Sequence, residues 1–117
     1  MPYNEFLSDR IAQFLKEQHV AFYEKKMFGG LCFMVDEKMC VGVNRDEVML
    51  RINPEIYEES LTKKGCKEMN FTGRPMKGFV FLTDEATDLD EDLHAWLTLA
   101  LEYNPLAKSS KKKKTSQ

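Results

Sequence analysis

The stretch LCFMVDEKMCVGVNRDEVMLRI, residues 31–52, decides the fold. Three short apolar runs, residues 31–35, 39–43 and 47–52, are separated by brief polar turns of the kind that connect hairpins. Such a pattern predicts a meander of three antiparallel strands. Because successive side chains point to opposite faces of a strand, the two hairpins also predict which residues share a face.

The two hairpins agree on one buried face. The first pairs Val35 with Met39, Phe33 with Val41 and Leu31 with Val43. The second pairs Val43 with Val48, Val41 with Leu50 and Met39 with Ile52. Six large apolar residues of the first hairpin therefore share a face, and the third strand extends it.

The opposite face of the meander is weakly apolar, whereas a solvated sheet face is normally polar. Its members are Cys32, Met34, Cys40, Gly42, Met49 and Arg51. This composition indicates cover by another element or by a second subunit. We therefore treat Cys32, Met34, Cys40, Met49 and Arg51 as a candidate interaction face, and a homodimer follows from the second alternative.

Upstream of the meander, apolar residues at three- and four-residue spacing predict a helix over residues 3–18. Its predicted apolar stripe consists of Tyr3, Phe6, Leu7, Ile11, Phe14 and Leu15. Either Asn4 or Ser8 caps its start. Residues 19–24 then alternate and predict a strand, and residues 25–30 form a connector.

Downstream, Asn53 and Pro54 open a helix that closes at Gly65. A loop over 66–76 precedes a strand over 77–83, whose apolar residues on both faces indicate an inner strand. The last helix starts near Asp88, where Asp88 and Glu91 form a capping pair. Its predicted core stripe consists of Leu89, Leu93, Trp96, Leu97 and Ala100, and Asn104-Pro105 ends it.

The order of elements is therefore α-β-β-β-β-α-β-α. Strands that follow one another as hairpins favour a two-layer α+β fold, with an antiparallel sheet of about five strands flanked by helices. A chain of 117 residues has room for one domain, which we place at 1–104. Residues 105–117 are predicted to form a disordered, lysine-rich tail.

Charge is unevenly distributed along the chain. The tail holds five lysines and no acid, so the rest holds 12 basic and 19 acidic side chains, a net charge of −7. An acidic body repels nucleic acid, so only weak, nonspecific contact of the tail with polyanions is expected. No apolar run is long enough for a membrane helix, and no leader peptide is evident.

The cysteines and histidines suggest neither a catalytic nor a metal site. Cys32, Cys40 and Cys66 form no CxxC pair, and His19 and His94 lie far from them in sequence. Nothing in the sequence places a base beside a nucleophile. We expect free thiols in the cytoplasm, no cofactor, no metal and no catalytic residues.

Two segments combine basic residues with glycine and are the candidate anion or partner site. In the first, Lys26, Gly29 and Gly30 form an anion nest or, alternatively, a bend that needs a positive φ or close backbone approach. In the second, Arg74 and Lys77 grip an anion or, alternatively, Arg74 pairs with a carboxylate of the acidic body.

These same segments carry a family resemblance. Residues 26–30 (KMFGG), 32–34 (CFM), 39–43 (MCVGV) and 49–51 (MLR), with 71–78 (FTGRPMKG) and the Trp96-Leu97 helix, resemble the N-terminal domain of the TfoX/Sxy family. The likeness spans about residues 9–103.

The resemblance implies a secretion-chaperone-like α+β fold in a bacterial, cytoplasmic, non-enzymatic protein. Its named members regulate competence with the cyclic-AMP receptor protein and carry a second, C-terminal domain, which we expect this stand-alone domain to lack. The sequence thus favours a regulatory or protein-interaction module with an unidentified protein partner. The alternative is a protein, or an enzyme not yet recognised, that binds small anions through Lys26, Arg74 and Lys77.

Overall fold

The computed structural model describes residues 3–27, 29–69 and 77–106. Its elements follow the predicted order with two additions, the strand β5 and the short helix α3. They are α1 (Glu5–Glu17), β1 (Tyr23–Met27), β2 (Gly30–Val35), β3 (Lys38–Asn44), β4 (Glu47–Arg51), α2 (Tyr57–Leu61), β5 (Cys66–Glu68), β6 (Phe79–Leu82), α3 (Asp84–Thr87) and α4 (Asp90–Tyr103). Single 3-10 turns precede α2 and follow α4.

The strands form one antiparallel sheet in the order β1-β2-β3-β4-β6-β5. The predicted α+β class and the antiparallel sheet are confirmed. The described sheet has six strands because β5 lies within the segment predicted to be a loop. The prediction that residues 77–83 hold an inner strand is also confirmed, since β6 lies between β4 and β5.

One core lies between the sheet and the long helices α1 and α4. Ile11 and Leu15 from α1 and Leu93 and Leu97 from α4 pack against the sheet and are at most 1 % exposed. The rings of Phe14 and His94, 4.6 Å apart, join the two helices. Sheet residues that complete this core are Leu31, Phe33, Val41, Val43, Val48, Leu50, Val80 and Leu82.

The predicted register of the meander is confirmed along most of its length and is wrong at the turn between β2 and β3. Leu31 pairs with Val43 and Phe33 with Val41 as predicted, and the pairs Val43–Val48 and Val41–Leu50 are confirmed. At the turn, however, Val35 pairs with Lys38 and Met34 with Met39.

A β-bulge at Cys40 causes this difference. Asp36 and Glu37 adopt φ values of 57° and 65°, which makes a two-residue hairpin turn and pairs Val35 with Lys38. Farther along, Phe33 still pairs with Val41, so Cys40 is an extra residue in β3. As a result, Cys40 joins the helix-side core and Met39 joins the opposite face.

The strand predicted at 19–24 lies farther along the chain, at Tyr23–Met27, and the connector predicted at 25–30 is therefore mostly wrong, because its first three residues belong to β1 and its last to β2. Helix α1 is capped by Asn4, whose side chain accepts a hydrogen bond from the Leu7 amide. At its other end His19 adopts φ 59°, and the Val20 amide donates to the Leu15 carbonyl. This termination uses residues up to Val20, so β1 begins only at Tyr23.

The start of the last helix also differs from the prediction. Residues 84–87 form the separate short helix α3, and Asp88 donates its backbone amide to Asp84 instead of capping α4. Helix α4 begins at Asp90 and has no side-chain cap. Its predicted end at Asn104-Pro105 is confirmed, because residues 104–106 form a 3-10 turn.

Candidate functional site

The predicted interaction face is buried within a single copy of the chain. Cys32, Met34 and Met49 lie on the side of the sheet away from α1 and α4, as predicted, but they are 0, 2 and 0 % exposed. Met39, Met69, Phe79 and Phe81 pack with them. Of the two alternatives for covering this face, this burial favours cover by the chain itself.

Cys40 and Arg51, the two other members of the predicted face, are not fully buried on that face. The placement of Cys40 on this face is wrong, because the bulge turns its side chain into the helix-side core. Arg51 is half-buried, and its guanidinium carbon lies 5.3 Å from the ring centroid of Phe79. A role of any of these residues in binding a partner stays a prediction.

Gly42 makes the dense packing of this face possible. A Cβ atom at Gly42 would lie 2.7 Å from Cε of Met49, 2.9 Å from the Leu31 carbonyl oxygen and 3.2 Å from Sγ of Cys32. The Met49 methyl therefore fills the space that a side chain would otherwise occupy. Methionine suits such a position because its unbranched side chain adapts to irregular gaps.

All three cysteines are free thiols. Burial raises the pKa of Cys32 to about 11, against a smaller lowering effect of Lys25. Burial likewise raises the pKa of Cys40 to about 12 and that of Cys66 to about 11. Because the thiolate is the nucleophile, thiols with such values are poor nucleophiles at neutral pH.

The candidate anion-site residues are dispersed over the sheet. Lys26 is exposed on β1, and Lys77 is exposed just before β6, four strand positions away. At roughly 4.8 Å between strands, the two lysines are about 19 Å apart across the sheet. The structure therefore does not bring these two predicted residues together, and Arg74 lies outside the described residues.

The two glycines of that candidate site have clear conformational roles. Gly29 adopts φ 73° in the turn between β1 and β2. A Cβ atom at Gly30 would lie 2.1 Å from the Val43 carbonyl oxygen, so only glycine allows β2 and β3 to approach there. Both observations fit the alternative of a bend with close backbone approach.

An exposed groove that the sequence did not predict lies beside α1. It has a volume of about 420 Å³ and runs between α1, the β3–β4 turn and α3. Asn4 joins two of these walls, because its amide side chain donates to Asp46 Oδ1 at 3.1 Å. The lining residues are Asn4, Phe6, Leu7, Arg10, Asp46, Glu47, Thr83, Asp84, Thr87 and Asp88.

Arg10 anchors one wall of this groove and is only 18 % exposed. Its Nη2 atom donates to the Thr87 carbonyl at 2.7 Å and to Asp90 Oδ1 at 2.9 Å. Its guanidinium carbon also lies 6.0 Å from the ring centroid of Phe6. Arg10 thereby holds the junction of α3 and α4 against α1.

Two apolar residues predicted to lie in the core are exposed near Arg10: Phe6 contacts its guanidinium, and Leu89 lies in the chain between Asp88 and Asp90, which both accept hydrogen bonds from Arg10. Phe6 is 73 % exposed and Leu89 is 60 % exposed. We call Phe6, Arg10 and Leu89 the Arg10 patch. In the sequence, the four-residue spacing of Phe6 and Arg10 was the one indication that the two belong together, because residues four apart share a helix face.

A second groove, more apolar, has a volume of about 390 Å³ and lies between α3, α4 and the end of α2. Ala86, Trp96 and Leu99 form its apolar surface, and Lys63 and Lys64 stand at its rim. Within the described ranges, no group of three or more histidine, cysteine or acidic side chains is placed to hold a metal ion. Among the helices of the same residues, none is both long and apolar enough to cross a membrane.

Comparison with known proteins identifies the family. Neither the curated proteins nor the solved structures include a match to this chain. The family model described as the TfoX N-terminal domain matches residues 14–103, which include all six strands and the helices α2, α3 and α4. The chain therefore belongs to the TfoX N-terminal domain family.

Proposed function

We propose that this chain is a non-enzymatic protein-interaction module with a regulatory role, and that its partner docks on the Arg10 patch and the adjoining groove. The exposure of Phe6 and Leu89 carries the proposal. Both belong to apolar patterns that predict burial, yet both lie in solvent. Phe6 lines the groove, and Leu89 follows Asp88, which also lines it. Exposed apolar surface rimmed by polar residues is typical of interaction sites.

The patch has the composition and rigidity that favour binding. Aromatic residues and arginine are enriched among the residues that dominate interface energies. Arg10 is held by acceptors on α3 and α4, so little side-chain entropy remains for a partner to remove. A partner would therefore meet a largely preformed surface.

Charge suggests the chemistry of the partner. Four carboxylates line the groove, at Asp46, Glu47, Asp84 and Asp88. Arg10 and Lys67, which pairs with Glu47 at 2.7 Å, balance two of them, so the groove keeps a negative charge. Such a surface attracts cations and speeds the encounter with them. We infer that the partner presents a basic segment with an apolar side chain that contacts Phe6 and Leu89.

The chemistry of the remaining residues supports a non-enzymatic role. Burial raises the pKa values of the three thiols above the ordinary 9.0, so their thiolate fraction at neutral pH is even smaller than that of an ordinary cysteine. His94 packs its ring on Phe14. The regulatory role, in the cytoplasm of a bacterium, rests on the family resemblance.

The test combines site-specific photo-crosslinking with matched substitutions. A photoreactive phenylalanine analogue at position 6 should capture a protein in the native lysate, and the same analogue at Leu106, which is 70 % exposed elsewhere, should not. The captured segment should be basic when mapped by mass spectrometry. With the purified partner, Phe6→Ala and Leu89→Ala should each weaken binding at least about tenfold, and Leu106→Ala should leave it unchanged.

Three results would count against this proposal. One is equal crosslinking from positions 6 and 106, and another is an acidic captured segment. The third is unchanged affinity of Phe6→Ala for the captured protein. Because Phe6 and Leu89 are exposed, these substitutions should leave the far-UV circular dichroism spectrum unchanged, which separates a binding defect from misfolding.

A further inference from the structure

The outer edge of β1 is the longer of the two edges of the sheet. Among the described strands, β1 pairs only with β2, so half of its backbone donors and acceptors have no strand partner there. Such edges are templates for pairing with another strand. The opposite edge is β5, which has only three residues.

Both faces of β1 are also open to solvent. Glu24 and Lys26 pair with Phe33 and Leu31, which belong to the helix-side core, yet both are exposed. Tyr23 and Lys25, which point to the other face, are exposed as well. The helical layer therefore ends short of β1, and another sheet can approach this edge without meeting α1 or α4.

We propose that two copies of the chain associate through β1, in antiparallel register about a two-fold axis at Lys25. This register places Tyr23 opposite Met27 and Glu24 opposite Lys26, and each pair occurs twice because of the symmetry. In this register each of the five residues of β1 lies opposite a β1 residue of the other copy. The two sheets would join into one of twelve strands.

Charge selects this register over its neighbours. Opposite charges directly across an antiparallel pair stabilise it, and like charges destabilise it. Centring on Lys25 makes two Glu24–Lys26 pairs at the cost of one Lys25–Lys25 pair. Shifting the centre by one residue would place Glu24 opposite Glu24 or Lys26 opposite Lys26, and both complementary pairs would be lost.

A charge-reversal series tests the proposal by sedimentation velocity over a range of protein concentrations. Glu24→Lys and Lys26→Glu should each raise the dimer dissociation constant by about tenfold or more, because each creates two like-charge pairs. The double variant Glu24→Lys/Lys26→Glu restores both pairs and should return to within about threefold of the wild type. Lys25→Thr should tighten the dimer.

Disulfide trapping tests the two-fold axis independently. In a Cys66→Ser background, Lys25→Cys places two thiols directly opposite each other, at a Cα separation of roughly 4.5–5.5 Å that permits a disulfide. Tyr23→Cys is the matched control, because its two copies would lie about 13 Å apart along the strand. Mild oxidation should crosslink the first variant and not the second.

A wild-type chain that stays monomeric at every concentration, or equal crosslinking of both cysteine variants, would overturn the proposal. So would a double charge reversal that is as weak as either single one. The β1 edge shares no residue with the Arg10 patch, so Phe6→Ala should leave this dimer intact. Failure of one proposal therefore does not decide the other.

Discussion

The substitution Gly42→Ala should destabilise the protein, because the added methyl group has no space. The added methyl would lie 2.7 Å from Cε of Met49 and 2.9 Å from the Leu31 carbonyl oxygen, so neighbouring atoms must move. Overpacking of this kind costs about 1–3 kcal/mol. Alanine recovers about 0.5–1 kcal/mol because it loses less backbone entropy than glycine.

Because the Leu31 carbonyl oxygen belongs to the backbone and moves little, the upper part of the overpacking range, about 2–3 kcal/mol, applies. The net expectation is a loss of about 1–2.5 kcal/mol in the free energy of unfolding, or a fall of about 4–10 °C in Tm for a domain of this size. Urea unfolding followed by far-UV circular dichroism measures it. A Met49→Leu background should remove part of the cost, because leucine has no atom equivalent to Cε. Met34→Leu, on the same face but farther from the added methyl, should not.

Two outcomes would refute this reasoning. If Gly42→Ala were neutral, the packing between Met49 and the sheet would be looser than the structure shows. If its cost were unchanged in the Met49→Leu background, the Met49 methyl would not be the obstacle. The same burial means that Met49→Glu would be expected to unfold the chain, so it cannot serve as a probe of an interaction surface.

Two further stability predictions concern buried polar groups. Asn104→Ala should lower the free energy of unfolding by about 1–3 kcal/mol, because the buried Asn104 amide donates to the Val35 carbonyl at 3.3 Å. Urea unfolding measures this loss, and an unchanged midpoint would contradict the prediction. Under reducing conditions stability should fall as pH rises above 9, because burial raises the pKa of Cys40 to about 12 and that of Cys32 to about 11 from an ordinary 9.0. The unfolded chain then releases its thiol protons first, so the folded state binds more protons and ΔG of unfolding decreases with pH; an equally steep decrease in Cys40→Ala would contradict this account.

Most of the meander could be predicted because hairpin pairing is a local property. The pairs Phe33–Val41 and Val41–Leu50 follow from alternation and from turns of a few residues. The fold class followed from the same hairpins together with the helical periodicity. The bulge at Cys40 could not be predicted. A three-residue loop, which pairs Val35 with Met39, and a two-residue loop, which pairs Val35 with Lys38, both place apolar residues at the buried positions.

The Arg10 patch could not be predicted from the sequence, for a different reason. Phe6 and Leu89 satisfy helical apolar patterns, and a pattern does not tell whether another element covers a given position. Whether they are covered depends on how α3 and α4 pack against α1, a position that Arg10 fixes through its hydrogen bonds to Thr87 and Asp90. That contact joins residues about 80 positions apart in the chain.

By itself the sequence determined the antiparallel connection of β2, β3 and β4 and the two long helices, because each depends on residues within a short span. It also determined the kinship with the TfoX N-terminal domain, which rests on motifs distributed along the chain. Only the tertiary structure decided that Lys26 and Lys77 are far apart, and that among the described strands β1 pairs with β2 alone. These properties depend on which distant elements pack together, and packing is set by the free energy of the whole chain. The structure also showed that a local bulge turns Cys40 into the helix-side core.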